Sequence, residues 1–170
     1  MTYWKCILWL TFILVGNPLA RAEDWKGEPT PTEFSFGGLT GLGVVNGSGG
    51  PTLIGTVSKK IVHRGFIPDI RDSVSLEGSL GPVFLTGITP WIYSVHLRWD
   101  FEKDETWIFF ATGGIGGNYR SYSLAGGNSQ TDIDLTPRFS AGAFLKVTPQ
   151  VWLRGEVAHD LIGVGVNIPI

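Results

Sequence analysis

Eight side chains could do acid–base work together: Glu77, His96, Arg98, Asp100, Arg138, Lys146, Arg154 and Glu156. Two glutamates, an aspartate and a histidine among four cations are the parts of a proton-transfer site, because each charge moves the acidity of the next. They are also what a narrow polar interior needs simply to stay neutral. A second constellation is His159-Asp160, an imidazole beside a carboxylate, with Ser121, Ser123 and Ser129 as hydroxyls that could serve it. Hydrolysis requires a nucleophile poised against the imidazole, and nothing in the spacing of the three serines selects one. His63, His96 and His159 lack metal-ligand spacing. The glycine runs hold no phosphate-cradling motif between a strand and a helix. The sequence therefore assigns no catalytic residue, no metal and no cofactor.

The elements that must position these groups are strands. In Trp91–Asp104, Trp91, Tyr93, Val95, Leu97, Trp99 and Phe101 share one parity, while Ser94, His96, Arg98 and Asp100 share the other, with Ile92 the apolar exception. Period-two alternation of this kind is a strand with one apolar and one polar face. Two tryptophans bracket Val95 and Leu97 at about a bilayer's depth, the spacing of rings that mark two membrane interfaces. Glu102-Lys103-Asp104-Glu105 then reads as a hairpin turn and Trp107 opens the next strand.

The same reading gives eight strands. They start near Glu33, Thr52, Ser73, Trp91, Thr106, Ile133, Val151 and Ile162. Asn46–Pro51 and Thr148–Gln150 are turn signals, and Asn118–Thr131 is the longest polar loop. The stretch Trp107–Phe110 is apolar throughout, so its parity is not legible. An even strand number suits a single-chain barrel, with short turns on the periplasmic rim and the long loop outside. If the apolar parity faces lipid, the eight charged groups fall in the lumen. A barrel of this size is just wide enough for its side chains to fill, so the charges are expected to form an ion-pair network and leave no open pore.

Composition agrees with that class. The 170 residues include 24 Gly, 7 Trp and 10 Phe, with 16% charged residues and a net charge of −2; that charge gives no pull toward nucleic acid. Residues 1–22 have the layout of a secretory signal peptide: Lys5, an apolar run Cys6–Val15, then Ala20-Arg21-Ala22 as the cleavage site. The run is too short to cross ~30 Å of hydrocarbon as a helix. Cleavage would remove Cys6, the single cysteine, leaving a polar leader at 23–32 and a barrel at 33–170.

The segments WIFFATGGIGGNYRS (107–121), FSAGAFLKVTPQVWLRGEVAHD (139–160) and the closing GVGVNIPI resemble the last four strands of OmpA-like small outer-membrane barrels. The resemblance implies an all-β, eight-stranded antiparallel up-and-down transmembrane β-barrel in the outer membrane, inserted by the barrel-assembly machinery. The chain departs from that pattern in ending on Ile170 instead of an aromatic residue, and a peptidoglycan-binding domain is not implied. The closing strands also resemble PagL-type lipid A deacylases, whose histidine and serine lie two positions apart. His159 sits in a comparable place, but Leu161 stands where that serine belongs and no glutamate follows.

The expectation is thus a monomeric, non-enzymatic outer-membrane protein. Tyr119, Arg120 and Tyr122 are its candidate contact surface for outer-membrane lipid, lipopolysaccharide or a partner. The alternatives are a PagL-like deacylase and a soluble periplasmic barrel with an apolar, ligand-binding interior.

Overall fold

The computed structural model describes residues 33–67, 70–123 and 129–170; the signal peptide and leader expected at 1–32 lie outside them. Its strands are β1 (Phe34–Val45), β2 (Ser48–Val62), β3 (Arg71–Pro82), β4 (Trp91–Glu102), β5 (Trp107–Ser123), β6 (Ser129–Ile133), β7 (Thr136–Thr148), β8 (Val151–Ala158) and β9 (Leu161–Pro169). All strand pairings are antiparallel; they join chain neighbours except that β5 also pairs with β7 and that β1 pairs with β9 to close the ring. β6 pairs only with the far end of β5, and β7 continues along β5 after the break at Asp134-Leu135. The barrel therefore has eight staves, with β6 and β7 sharing one of them. Most strands reach the ~9–11 residues that a tilted strand needs to cross a bilayer.

Two segments differ from the sequence expectation. Asn46-Gly47 alone makes the first turn, with φ of 50° and 77°; two consecutive positive φ values give the tight hairpin that matches strand twist. Ser48–Pro51 is thereby released to pair with Leu42–Val45, and β2 begins four residues earlier than expected. The polar stretch at 118–131 is largely a hairpin and not an open loop. Tyr119, Arg120 and Ser121 pair with Ile133, Asp132 and Thr131, and an Arg120–Asp132 ion pair ties the two strands.

Side chains alternate as the strand period requires. Leu53, Val57, Leu76, Leu80, Val95, Phe139, Val157, Val164 and Val166 point outward and stay exposed, while Ser58, Glu77, His96, Arg98, Arg154 and Asn167 point inward and are buried. On β5 the outward residues are Trp107 and Phe109, and Ile108 and Phe110 go inside. Rings collect at both ends of the outer apolar band. Trp91 and Tyr119 are register partners at the hairpin end. At the end that carries the termini, Trp99 stacks on Phe101 at 5.2 Å and Trp107 on Phe109 at 6.3 Å. Phe66, from the β2–β3 connection, meets Trp99 edge-on at 6.1 Å. The Trp99 indole also donates to Asp72 at 2.7 Å, which holds the connection against the outside of the barrel together with a bond from the Phe66 amide.

Val95 is 54% exposed midway between Trp91 and Trp99. Val95→Arg is expected to destabilise the barrel in phospholipid vesicles by about 2–4 kcal/mol, and Thr106→Arg in the exposed turn by much less. Urea titration of vesicle-embedded protein checks this; a near-neutral Val95→Arg would place that face in water.

Candidate functional site

Among the described residues the lumen brings together the largest connected set of titratable side chains, and it is layered. Nearest the hairpin end, Leu39, Val45, Ile54, Val83, Ile92 and Leu161 form an apolar cluster. The β3–β4 connection supplies Val83, whose amide donates to Pro90 O, while the Phe84 amide donates to Pro51 O. These bonds fold the connection over the mouth.

The middle layer is charged and centres on Glu77 of β3. Its Oε1 accepts from Arg154 Nη2 at 2.6 Å and lies 3.1 Å from His96 Nε2; its Oε2 accepts from Arg154 Nη1 at 3.1 Å and from Arg98. Arg154 thus grips Glu77 with both ends of its fork, the strongest common geometry for a carboxylate. β8 lies four staves from β3 in either direction, so this pair spans the barrel. Arg154 also donates to Glu156 at 2.6 Å, and Arg98 to both oxygens of Asp100 at 2.7 and 3.1 Å. Arg138 reaches Glu156 at 3.3 Å and both oxygens of Asp160 at 3.0 Å. His96 Nδ1 stands 3.1 Å from the Ser94 hydroxyl.

Below it, toward the termini, Phe110 and Phe144 pack at 4.9 Å, and Phe144 meets Trp152 at 5.8 Å. The rings lie against the guanidiniums: Arg98 is 4.9 Å from the Phe144 centroid and Arg154 is 5.0 Å from that of Phe110. Gly142 leaves room for this layer, since a Cβ there would collide with the Phe110 ring. Lys146 closes the mouth, 3.6 Å from Glu102 and 5.6 Å from the centre of the Trp152 ring.

Of the eight charged residues read from the sequence, seven form one connected set: Glu77, His96, Arg98, Asp100, Arg138, Arg154 and Glu156. Lys146 lies at the mouth with Glu102. Two partners were missed because both were assigned to turns, namely Glu102 and Asp160. Parity was the signal that could have found them, as Glu102 follows Asp100 by two positions and Asp160 follows Glu156 by four. The His159-Asp160 pair is divided: Asp160 turns in to Arg138 while His159 stays exposed. The carboxylate that would orient the imidazole is therefore engaged elsewhere. Ser121 is exposed on the hairpin, and Ser123 and Ser129 are backbone partners there.

At the hairpin base, Tyr119 is 40% exposed and faces outward. Arg120 is bound to Asp132, and Tyr122 pairs through its backbone with Gln130.

The void bounded by Leu39, Ile54, Leu161, Glu77, Arg138 and Arg154 has no space for a water molecule. A cavity of ≈ 20 Å³ lies nearer the termini, among Ser35, Ser58, Lys60, Asp100 and Trp152, about the room of one water.

No family model matches this sequence, and no curated protein matches it. Solved structures do match. The N-terminal β-barrel domain of Pseudomonas aeruginosa OprF aligns with a TM-score of 0.55 at 12% identity, over 80% of this chain and 97% of that one. Neisserial surface protein A aligns at 0.53 and 12%, over 85% and 100%. Ail, the attachment invasion locus protein of Yersinia pestis, solved with the heparin analogue sucrose octasulfate, aligns at 0.52 and 14%, over 81% and 94%. The fold is that of the small outer-membrane barrels. At these identities the likeness is one of architecture, so the lumen of this barrel has to be understood from its own residues.

Phe144 is fully buried beneath two guanidiniums. Phe144→Ala is expected to cost about 3–5 kcal/mol, as for other large-to-small changes at buried aromatics, whereas Phe139→Ala on the outer face costs clearly less. Urea unfolding of both variants in vesicles checks the difference; equal losses would mean that the aromatic layer does not support the charged one.

Proposed function

We propose that this protein is a non-enzymatic integral protein of the outer membrane, whose lumen network is structural and whose function lies on the surface around its protruding hairpin. One observation carries the reading: the inside is charged and paired while the outside is apolar and ends in aromatic rings. That is the arrangement for a lipid surround, where the backbone must pair within the barrel and only apolar side chains meet hydrocarbon. A soluble ligand-binding barrel would need the opposite distribution. With the termini at the periplasmic rim, the β5–β6 hairpin stands outside the cell. No nucleic acid, metal or cofactor enters this reading, and the barrel is a monomer inserted by the barrel-assembly machinery.

The hairpin base offers Tyr119 and Arg120 at the membrane boundary, and Tyr122 follows them two positions on in the sequence. A cation in so aromatic a segment suits a phosphorylated sugar, because a guanidinium grips phosphate with a planar fork. Ail, a barrel of the same fold, was solved with a polysulfated sugar. We take lipopolysaccharide of the surrounding leaflet as the ligand for this chain. Arg120 would exchange or share its Asp132 contact on binding.

The test is expression of the full chain in a Gram-negative host. The protein is expected in the outer-membrane fraction, with a gel mobility that changes on boiling. The Arg120→Ala/Tyr122→Ala variant is expected to keep both properties and to bind lipopolysaccharide about tenfold more weakly, a loss of about 1.4 kcal/mol. Recovery of the wild type in the soluble periplasm overturns the barrel's placement, and unchanged binding by the variant removes the hairpin from the role.

A further inference from the structure

Between the charged layer and the rim that carries the termini lies the cavity of ≈ 20 Å³, and the ion-pair network leaves its walls unexplained. Trp152 of β8 forms one wall with only 8% of its surface exposed. Its indole Nε1 is buried and has no hydrogen-bond partner among the described residues. A buried N–H without an acceptor is costly, so the indole needs one. Lys60 of β2, Ser75 of β3 and Asp100 of β4 supply the other polar walls that matter here, and Lys60 and Ser75 are register partners. Among the described residues the half-buried Lys60 makes no direct ion pair, although Asp100 lines the same void. Ser35 and Ser58, also on the wall, are bonded to each other at 2.6 Å and need nothing more.

We infer that this cavity is a site for one ordered water molecule, which accepts the Trp152 indole N–H and joins the Lys60 ammonium to Asp100 as a water-mediated ion pair. Size and charge select the occupant. A buried water needs roughly 10–15 Å³ of room and two to four polar partners, and the cavity supplies both. A halide is larger than water and would meet the carboxylates of Asp100 and Glu102 on the same walls. A metal cation would meet Lys60 and Arg98, and it gives the indole N–H nothing to donate to. Water both accepts and donates. Its oxygen takes the indole and ammonium hydrogens, and its own hydrogens go to Asp100 and the Ser75 hydroxyl. Asp100 has the capacity, because Arg98 donates to its two oxygens at 2.7 and 3.1 Å and an ionised carboxylate carries about four lone-pair sites. A bridge of this kind is nearly as favourable as a direct bond, so the charged layer extends one step beyond Arg98 to a lysine that direct contacts do not reach.

The experiment uses the full chain folded in detergent micelles in halide-free buffer, with folding of every sample read by the gel shift on boiling. Protein–water cross-relaxation is recorded by NMR at the tryptophan indole N–H groups, and the Trp152 signal is assigned from Trp152→Phe. The Trp152 proton is expected to show a cross-peak to water with the sign of a long-lived contact. Trp107, 39% exposed on the outer face, is expected to show none of that sign. Ser75→Ala removes a hydroxyl whose own exchange would mimic a water, and is expected to keep the cross-peak. Lys60→Met keeps the stem and removes the ammonium, and is expected to weaken it, whereas Lys59→Met, on the outward parity over Phe34, leaves it unchanged. A heat-shifted wild type without a long-lived water at the Trp152 indole overturns the site, as does a cross-peak that vanishes in Ser75→Ala. Equal effects from the two lysine variants overturn the bridge to Lys60. Saturable movement of the Trp152 signal on adding sodium bromide makes the occupant an anion and overturns the inference. A wild type that shows no mobility shift overturns the barrel and the site with it.

Discussion

Glu77 and Arg154 stand on opposite walls of the barrel and meet across its centre through two parallel hydrogen bonds. Everything around them is arranged by the cost of that meeting. Taking a carboxylate and a guanidinium out of water costs several kcal/mol each, and the attraction between them offsets this only if their remaining hydrogen-bonding capacity is met. Arg98 and His96 take up the other sides of Glu77, and Glu156 the other side of Arg154. Asp100 and Arg138 then neutralise those partners in turn. The network grows outward from the brace as each charge in turn is met by one of opposite sign.

The two apolar layers follow from the same constraint. Water reaching the brace would screen it, and the cluster around Leu39 and Val83 closes one end while Phe110, Phe144 and Trp152 close the other. The aromatic layer does more than fill space, since its ring faces lie against two guanidiniums that have given up hydration. Cation–ring attraction is worth most where the cation is desolvated. On the outside the chain has the opposite problem, and solves it with aliphatic side chains in the band and rings at its ends. One alternation, apolar outward and polar inward, thus serves both surfaces of a single sheet.

That alternation is why so much was legible. In β4 and β8 one parity is largely polar, and the inward set Ser94, His96, Arg98, Asp100 and Trp152, Arg154, Glu156 can be read from the sequence alone. Pattern failed where both parities are apolar. Nothing in Trp107-Ile108-Phe109-Phe110 says which ring goes inside; in the structure Phe110 does, against Gly142 on β7, where a Cβ would collide with its ring. It failed again at turns, where Glu102 and Asp160 look like ordinary hydrophilic punctuation yet lie on the inward parity and complete the ion pairs of Lys146 and Arg138. The hairpin at 119–133 was hidden for a related reason. Its polar residues signal a loop, and only their pairing, with Arg120 opposite Asp132, makes them strands. Which lumen charges touch was also beyond the sequence, because it depends on barrel closure, which brings β3 to β8 across 77 residues of chain.

The most direct measurement is the unfolding free energy, in phospholipid vesicles, of Glu77→Gln beside that of the double variant Glu77→Leu/Arg154→Leu. If Glu77 is the hub, the single change strands Arg154 and Arg98 and costs about 3–5 kcal/mol, while removing both charges of the brace recovers a substantial part of that loss. A single variant within about 0.5 kcal/mol of the wild type, the range of a change at an unimportant position, would contradict the account and mean that the barrel stands without its brace.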